Sequence, residues 1–173
     1  MGKTDFTFKI AGEAGQGIAS SGLVFSKIAL RSGYFVFDFS EYPSLIRGGH
    51  NVYGARISSQ EIHFQNSSVD FLMALNQQAL DFHKTELSRN SAVILNSDKV
   101  VNAGLGRVSV FSVPLIKLAK KSGGSEVMMN NVALGLPAFL LRVDFPALEQ
   151  AIRETFSWAT PEVIDLNIKV ALA

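Results

Sequence analysis

A glycine-rich turn between two apolar segments constrains the fold of this chain more than any other feature. Residues 6–10 alternate apolar and polar side chains, as a strand does, and run directly into glycines at positions 12, 15 and 17. Residues 18–32 then repeat apolar side chains with helical periodicity, and Gly33 follows at the position of a helix C-cap. A strand, a tight turn and a helix in this order are typical of an α/β protein.

The rest of the chain predicts strands that alternate with helices. Strands are predicted at residues 34–39, 51–58, 71–75, 92–96 and 107–113, with 34–39 as a buried parallel strand and 61–65 as a hairpin partner of 51–58. Helices are predicted at 77–87, 115–121, 130–141, from Asp144 to about 158, and from Thr160 onward. This order predicts an α/β fold with a mostly parallel, doubly wound sheet flanked by helices, with C-terminal helices, in a single domain of residues 1–173.

Composition excludes several kinds of function. With 16 basic and 15 acidic residues and no long basic run, neither nucleic acid nor a membrane surface is an expected partner. The absence of cysteine excludes disulfides, cysteine nucleophiles and thiolate-bound iron–sulfur clusters in this chain. No signal-peptide pattern and no run of about 20 apolar residues occurs, which predicts a cytoplasmic location. The 47% hydrophobic content suggests that some apolar surface faces a partner.

The glycine turn is compatible with dinucleotide binding. Gly12, Ala14 and Gly17 occupy the three fingerprint positions, and Asp38 stands near the end of the second predicted strand, where a ribose-binding acid would be. An NAD- or nucleotide-binding module is therefore one hypothesis, although alanine replaces the glycine that lets the pyrophosphate approach. A phosphate-binding loop of the GxxxxGK[ST] type is excluded, because Ile18 stands where lysine is required. A tight turn without any ligand is the alternative.

A second unusual loop covers residues 40–51 and contains Arg47, Gly48, Gly49, His50 and Asn51. It follows a predicted strand, as the first loop does, so both loops should open at the carboxyl edge of the sheet, where α/β proteins bind ligands. The arginine suits a phosphate or a carboxylate. Equally, it could bridge to a nearby glutamate, and the histidine could have only a structural role. The other histidines, at 63 and 83, are left unassigned.

Six short segments occur in one order along the chain. They are AGEAGQGI at 11–18, GY at 33–34, EYP at 41–43, RGGHN at 47–51, RIS at 56–58 and NVALG at 131–135. Taken together, they resemble the gamma subunit or domain of 2-oxoacid:ferredoxin (or flavodoxin) oxidoreductases, the pyruvate and 2-oxoglutarate synthase family. The version at 41–50 looks most like a gamma domain fused to the N-terminus of an alpha chain.

The resemblance implies a subunit of an enzyme that is not catalytically complete alone. The whole enzyme would oxidatively decarboxylate a 2-oxoacid, of the 2-oxoglutarate or pyruvate type, to an acyl-CoA and pass electrons to ferredoxin or flavodoxin. Thiamine diphosphate and iron–sulfur clusters would sit on partner chains, namely thiamine-binding alpha and beta and ferredoxin-like delta subunits, and a homodimer is compatible with this role. The chain itself would close over the active site and contact coenzyme A through Gly12, Gly15, Gln16, Gly17, Arg47, Gly48, Gly49, His50 and Asn51. A third hypothesis is that the chain is a structural partner whose loops make contacts only with other subunits.

Overall fold

A six-stranded sheet forms the framework of the chain in a computed structural model, which describes residues 4–43, 48–101, 104–140 and 143–173. The strands lie in the order β2-β3-β1-β4-β5-β6. Their bounds are β1 Asp5–Glu13, β2 Phe35–Glu41, β3 His50–Ser58, β4 Val69–Ala74, β5 Leu87–Asn96 and β6 Ser109–Val113. Strands β1, β4, β5 and β6 pair in parallel, which confirms the predicted mostly parallel α/β sheet.

Strand β3 departs from the predicted topology. It runs antiparallel between β1 and β2 and pairs with both along most of its length. The predicted hairpin between 51–58 and 61–65 is therefore wrong, and residues 61–65 contain no strand. The physical reason is that β3 already has a hydrogen-bonded neighbour on each side, which leaves no edge free for another strand.

Strand β2 was predicted to be a buried parallel strand, and this prediction is also wrong. It pairs with the antiparallel strand β3 and is an edge strand with partly exposed side chains. Its alternation places three phenylalanines, at positions 35, 37 and 39, on the same sheet face as Arg56 of β3. An apolar strand reads as buried from sequence even when its aromatic side chains lie on a partly open sheet surface.

Six helices connect and cover the strands in the part of the chain that the structure describes. They are α1 Ile18–Arg31, α2 Gln77–His83, α3 Leu115–Lys121, α4 Met129–Leu140, α5 Phe145–Thr155 and α6 Pro161–Ala171. The bounds of α3 match the prediction. Helix α5 begins after Asp144, whose carboxylate accepts a hydrogen bond from the backbone N–H of Ala147, as an N-cap does. It ends earlier than the predicted 158, and α2 likewise ends before 87 because its last residues tighten into a 3-10 turn.

The two faces of the sheet are covered unequally. On one face, Phe8 of β1 packs against Phe25 of α1 with ring centroids 4.2 Å apart, and α3 to α6 complete this larger core. On the other face, α2 contributes Leu80 to a smaller cluster with Leu72 and Val93. Among the described residues, no helix is long and apolar enough to cross a membrane.

Candidate functional site

The two glycine-containing loops meet at the carboxyl end of β1. Because β1 and β3 pair antiparallel, Gly12 lies opposite Asn51 and Glu13 lies opposite His50. Just beyond this pairing, the backbone N–H of Ala14 donates to the carbonyl oxygen of Gly49 at 3.0 Å. The loops therefore form one continuous backbone surface at the edge where α/β sheets bind ligands. The prediction that both open at the same edge of the sheet is confirmed.

Three members of the first loop are fixed by packing. The Gln16 side chain folds back, and its Oε1 accepts a hydrogen bond from Glu13 N at 2.7 Å. A Cβ added to Gly12 would lie 2.4 Å from that same oxygen, and one added to Gly17 would lie 2.2 Å from Asn130 Nδ2. Asn130 Nδ2 in turn donates to the carbonyl oxygen of Gly17 at 3.0 Å. Close packing at both positions, together with a φ of 70° at Gly17, accounts for glycine at positions 12 and 17.

Two other glycines have no close neighbour among the described residues. Gly15 has a φ of 89° and Gly48 a φ of 70°, and a Cβ added to either would meet no atom of the described residues within 4 Å. Gly17 precedes α1 as its N-cap and makes no side-chain cap hydrogen bond, so the first N–H groups of the helix lack a side-chain acceptor there. Open glycines beside such a helix N-terminus suit the close approach of an anionic group such as a phosphate.

The remaining predicted residues of the second loop are Arg47, Gly49, His50 and Asn51. Arg47 lies outside the described residues. Gly49 has a φ of 99°, so a side chain at this position would be strained. His50 and Asn51 begin strand β3 and are half-buried.

A polar network extends from His50 across the sheet face covered by α2. Nε2 of His50 lies 2.8 Å from Nε2 of His83, and Nδ1 of His83 lies 3.0 Å from Glu86 Oε1. The other oxygen of Glu86 accepts from Lys9 Nζ at 2.6 Å. The Phe82 ring packs edge-on against the His50 ring at one end of the network, with the two ring centroids 4.9 Å apart. Sequence reasoning left His83 unassigned, since no local pattern links it to a residue 33 positions away.

The electrostatics of this network favour a neutral His50. Burial, followed by the charges of His83 and Lys9, lowers the pKa of His50 below 6.5, and Glu86 offsets only part of this effect. Burial alone would raise the pKa of Glu86, but hydrogen bonds from Lys9 and His83 outweigh it and hold the pKa below its ordinary value. Glu86 is therefore the anion of the network.

The structure contradicts the dinucleotide fingerprint. In a dinucleotide-binding fold the second strand lies parallel and adjacent to the first, whereas here β3 separates β2 from β1 and runs antiparallel to both. Asp38 is consequently two strands away from the glycine turn, roughly 10 Å at ordinary strand spacing. Its carboxylate accepts a hydrogen bond from the Tyr53 hydroxyl, and burial, followed by this hydrogen bond, raises the pKa of Tyr53. Asp38 is a partner of Tyr53, and the structure does not favour the NAD-module hypothesis.

A cavity of about 250 Å³ lies beside the first loop, on the sheet face covered by α1. Gly17 and Ser20 of the α1 start line one side of it. The other walls come from the turn before α4, the start of α4, the segment between α5 and α6, and α6 itself. Their residues are Ser125, Val127, Met128, Asn130, Asn131, Phe156, Trp158, Val163 and Asn167. Sequence reasoning did not anticipate this cavity, because its walls are brought together only by the fold.

Comparison with known protein families shows which family the chain belongs to. The model of the pyruvate ferredoxin/flavodoxin oxidoreductase family matches residues 7–173. The chain belongs to this family. The resemblance that the six sequence segments indicated is therefore confirmed.

Two curated relatives of this oxidoreductase-family chain differ in length. The 2-oxoglutarate synthase subunit KorC of Methanothermobacter thermautotrophicus is 31% identical over 163 residues, covering 89% of this chain and 86% of the relative. The ketoisovalerate oxidoreductase subunit VorA of the same organism is 30% identical over 165 residues, covering 94% of this chain and 34% of the relative. The family chain thus corresponds to nearly all of one relative and to about a third of the other.

Solved structures show the same difference in length between relatives. The chain superimposes with a TM-score of 0.86 and 27% identity on a 2-oxoglutarate:ferredoxin oxidoreductase from Magnetococcus marinus with 2-oxoglutarate, coenzyme A and succinyl-CoA bound, covering 96% of this chain and 30% of that one. It matches the gamma subunit of a keto/oxoacid ferredoxin oxidoreductase from Geobacter sulfurreducens with a TM-score of 0.80 and 26% identity, covering 96% of this chain and 94% of that one. The fold of this oxidoreductase-family chain is therefore that of a gamma subunit.

Proposed function

We propose that this chain is the gamma subunit or domain of an enzyme that oxidatively decarboxylates a 2-oxoacid to an acyl-CoA, and that it supplies backbone contacts to coenzyme A. One observation carries the proposal. Ala14 N donates to the Gly49 carbonyl at 3.0 Å, so the two loops form a single glycine-lined surface beside the N-terminus of α1. In the part of the chain that the structure describes, Gly15 and Gly48 leave this surface open to a ligand.

Coenzyme A fits the chemistry of this surface. Its pyrophosphate is an anion that backbone N–H groups and a helix N-terminus stabilise, and open glycines let it approach the main chain. Arg47, on sequence grounds, is proposed as a further phosphate contact. The Magnetococcus relative binds coenzyme A and succinyl-CoA, which supports the choice of ligand.

The redox chemistry is proposed to belong to other chains. Thiamine diphosphate would supply the attack on the keto carbon, and iron–sulfur clusters the electron path to ferredoxin or flavodoxin. This chain contains no cysteine to ligate a cluster. The proposed substrate is of the 2-oxoglutarate or pyruvate type, and the proposed partners are thiamine-binding alpha and beta chains and a ferredoxin-like delta chain.

Exposed aromatic side chains support a subunit role. Phe35, Phe64 and Phe82 are 48%, 62% and 55% exposed and belong to the sheet face opposite the large helical core. Arg56, whose guanidinium lies 4.7 Å from the Phe64 ring centroid, is paired with Asp5 and adds no net charge there. An aromatic, locally neutral surface of this kind is typical of protein–protein contacts. Because one sheet carries all six strands, we treat residues 1–173 as one domain in this proposal.

The first experiment is purification of the tagged chain from its native cells under anaerobic conditions. We expect thiamine- and cluster-bearing chains to co-purify, and CoA-dependent reduction of a viologen dye by one member of a panel of 2-oxoacids. The active 2-oxoacid identifies the substrate. A chain that purifies alone and without activity contradicts the proposal.

Gly15→Ala tests the coenzyme A contact in that complex. Its methyl group would occupy the open side of the loop, so we expect the apparent KM for CoA to rise about tenfold, as for loss of a charge-assisted hydrogen bond, with kcat unchanged. Gly33→Ala is the matched control, because Gly33 also has a positive φ of 84° and an added Cβ there would meet no described atom within 4 Å, but it lies at the far end of α1. An equal rise in both variants contradicts the CoA contact. Loss of the Gly15 variant from the complex favours a purely structural role at a subunit interface.

A further inference from the structure

The backbone of the second loop passes through two consecutive glycines just before β3. Gly48 and Gly49 both have positive φ values, of 70° and 99°. Glycine loses more conformational freedom on folding than any other residue, so two in succession keep one conformation only where neighbouring contacts hold them. His50 comes next along the chain, and its ring is the first side chain beyond the two glycines that can provide such a contact.

The His50 ring is attached to the fold by one hydrogen bond in the part of the chain that the structure describes. Its Nε2 lies 2.8 Å from Nε2 of His83. Its Nδ1 is buried and has no hydrogen-bond partner among the described residues, and the Phe82 ring packs against it only edge-on. The orientation of the His50 side chain therefore depends on where His83 holds its own Nε2 atom.

His83 is itself fixed by contacts on its other side. It is the last residue of α2 and is buried, and its Nδ1 lies 3.0 Å from Oε1 of Glu86. The second carboxylate oxygen of Glu86 accepts a hydrogen bond from Nζ of Lys9, in strand β1, at 2.6 Å. Hydrogen bonds between charged groups are stronger than those between neutral ones. His83 is thus linked through Glu86 to a central strand of the sheet.

The backbone at His50 connects this arrangement to the first loop. The Gly49 carbonyl belongs to the peptide group that ends at the nitrogen of His50, and its oxygen accepts the 3.0 Å hydrogen bond from Ala14 N that joins the two loops. Across the strand pair, His50 lies opposite Glu13, the residue before Ala14. A different position of the His50 ring would turn this peptide group. The contact with His83 and the junction between the loops are therefore coupled.

We propose that His83 is a positioning residue for the glycine-lined surface: its Nε2 holds the His50 ring, and His50 in turn holds the Gly49 carbonyl where Ala14 N binds it. His83 follows His50 by 33 positions and contacts neither glycine loop through its backbone pairing, so only its side chain carries this role. The inference rests on the proposed function for its effect on coenzyme A, and on the contacts alone for its effect on the loops. These two effects can be measured separately.

Hydrogen exchange of the Ala14 amide in the full chain tests the effect on the loops without any ligand. His83→Leu removes the hydrogen bond to His50 but keeps an apolar side chain, so exchange at Ala14 should become roughly two- to tenfold faster. His83→Gln keeps an amide group that can bind His50 and should restore most of the protection. Val93→Ala is the matched control, because Val93 is buried in the cluster that packs against α2 and has no hydrogen-bonding side chain. Unchanged exchange in His83→Leu, or an equal increase in Val93→Ala, overturns the proposal.

Steady-state kinetics of the complex test the effect on coenzyme A. In His83→Leu the apparent KM for CoA should rise roughly two- to tenfold with kcat unchanged, and in His83→Gln it should stay near that of the wild type. Faster exchange at Ala14 without a rise in KM supports the positioning role and contradicts the proposed coenzyme A contact. A rise in KM for Gly15→Ala, with His83→Leu unchanged in both measurements, overturns the positioning role and leaves the coenzyme A contact intact.

Discussion

The Nε2 atom of His50 lies 2.8 Å from the Nε2 atom of His83, so the two rings share one hydrogen bond. Glu86 accepts from His83 Nδ1, so that nitrogen carries a proton. Protonation of both Nε2 atoms would place two N–H groups against each other, so one of the two donates and the other accepts. Burial, followed by the charges of His83 and Lys9, lowers the pKa of His50 from 6.5.

The pair predicts a loss of stability in acid. The pKa of His50 is lowered from 6.5 in the folded chain, so below about 6.5 the unfolded chain binds more protons than the folded one. The free energy of unfolding should therefore be fully retained above pH 6.5 and fall as the pH drops through the folded pKa. Urea unfolding at pH 7.5 and 5.5 measures this difference.

His50→Asn should reduce the dependence of stability on pH, because the titrating ring is gone. His63→Asn is the matched control, since the His63 side chain is 77% exposed and lies outside this network. A pH dependence that survives in His50→Asn, or disappears in His63→Asn, contradicts the assignment to the buried pair.

Local patterns predicted the elements, whereas contacts between distant residues decided the site. The bounds of α3 and the cap of α5 at Asp144 follow from nearby side chains, and the sequence shows them directly. The position of β3 between β1 and β2 cannot be predicted from nearby side chains. The alternation of polar and apolar residues indicates which residues share a face of a strand, but not which strand lies beside it. The contact of Asn130 with Gly17 joins residues 113 positions apart and has no local signature.

The ion pair between Lys9 and Glu86 should contribute measurably to stability. Their charged atoms are 2.6 Å apart, with side chains only 8% and 28% exposed. Lys9→Met would leave Glu86 without its main cation, so we expect a loss of about 1–3 kcal/mol in the free energy of unfolding at pH 7. Lys9→Met combined with Glu86→Gln should lose less than the lysine variant alone.

A surface ion pair in the same region provides the comparison. Lys84 and Asp81 lie 3.0 Å apart with side chains 47% and 48% exposed. Lys84→Met should leave the free energy of unfolding nearly unchanged, because solvent screens exposed pairs. Equal losses for Lys9→Met and Lys84→Met in urea unfolding would show that burial adds nothing to the Lys9 contact.

Gly17→Ala should be more destabilising than glycine replacement at an open turn. A Cβ at position 17 would lie 2.2 Å from Asn130 Nδ2 and would also adopt a φ of 70°, which is strained for residues other than glycine. Gly123→Ala shares the conformational strain, with a φ of 89°, but its nearest atom would be 3.9 Å away. The difference between the two variants in urea unfolding therefore isolates the clash, for which we expect about 1–3 kcal/mol.

Asn130→Ala should relieve that clash, so its combination with Gly17→Ala should be less destabilising than the sum of the two single changes. Asn130→Ala alone removes the hydrogen bond to the Gly17 carbonyl, which is 3.0 Å long in the structure, and should cost about 1 kcal/mol. Additive free energies in the double variant would mean that Asn130 does not set the shape of the loop. A coupling of about 1 kcal/mol or more would show that the start of α4 holds the glycine turn at the N-terminus of α1, where the proposed coenzyme A phosphates bind.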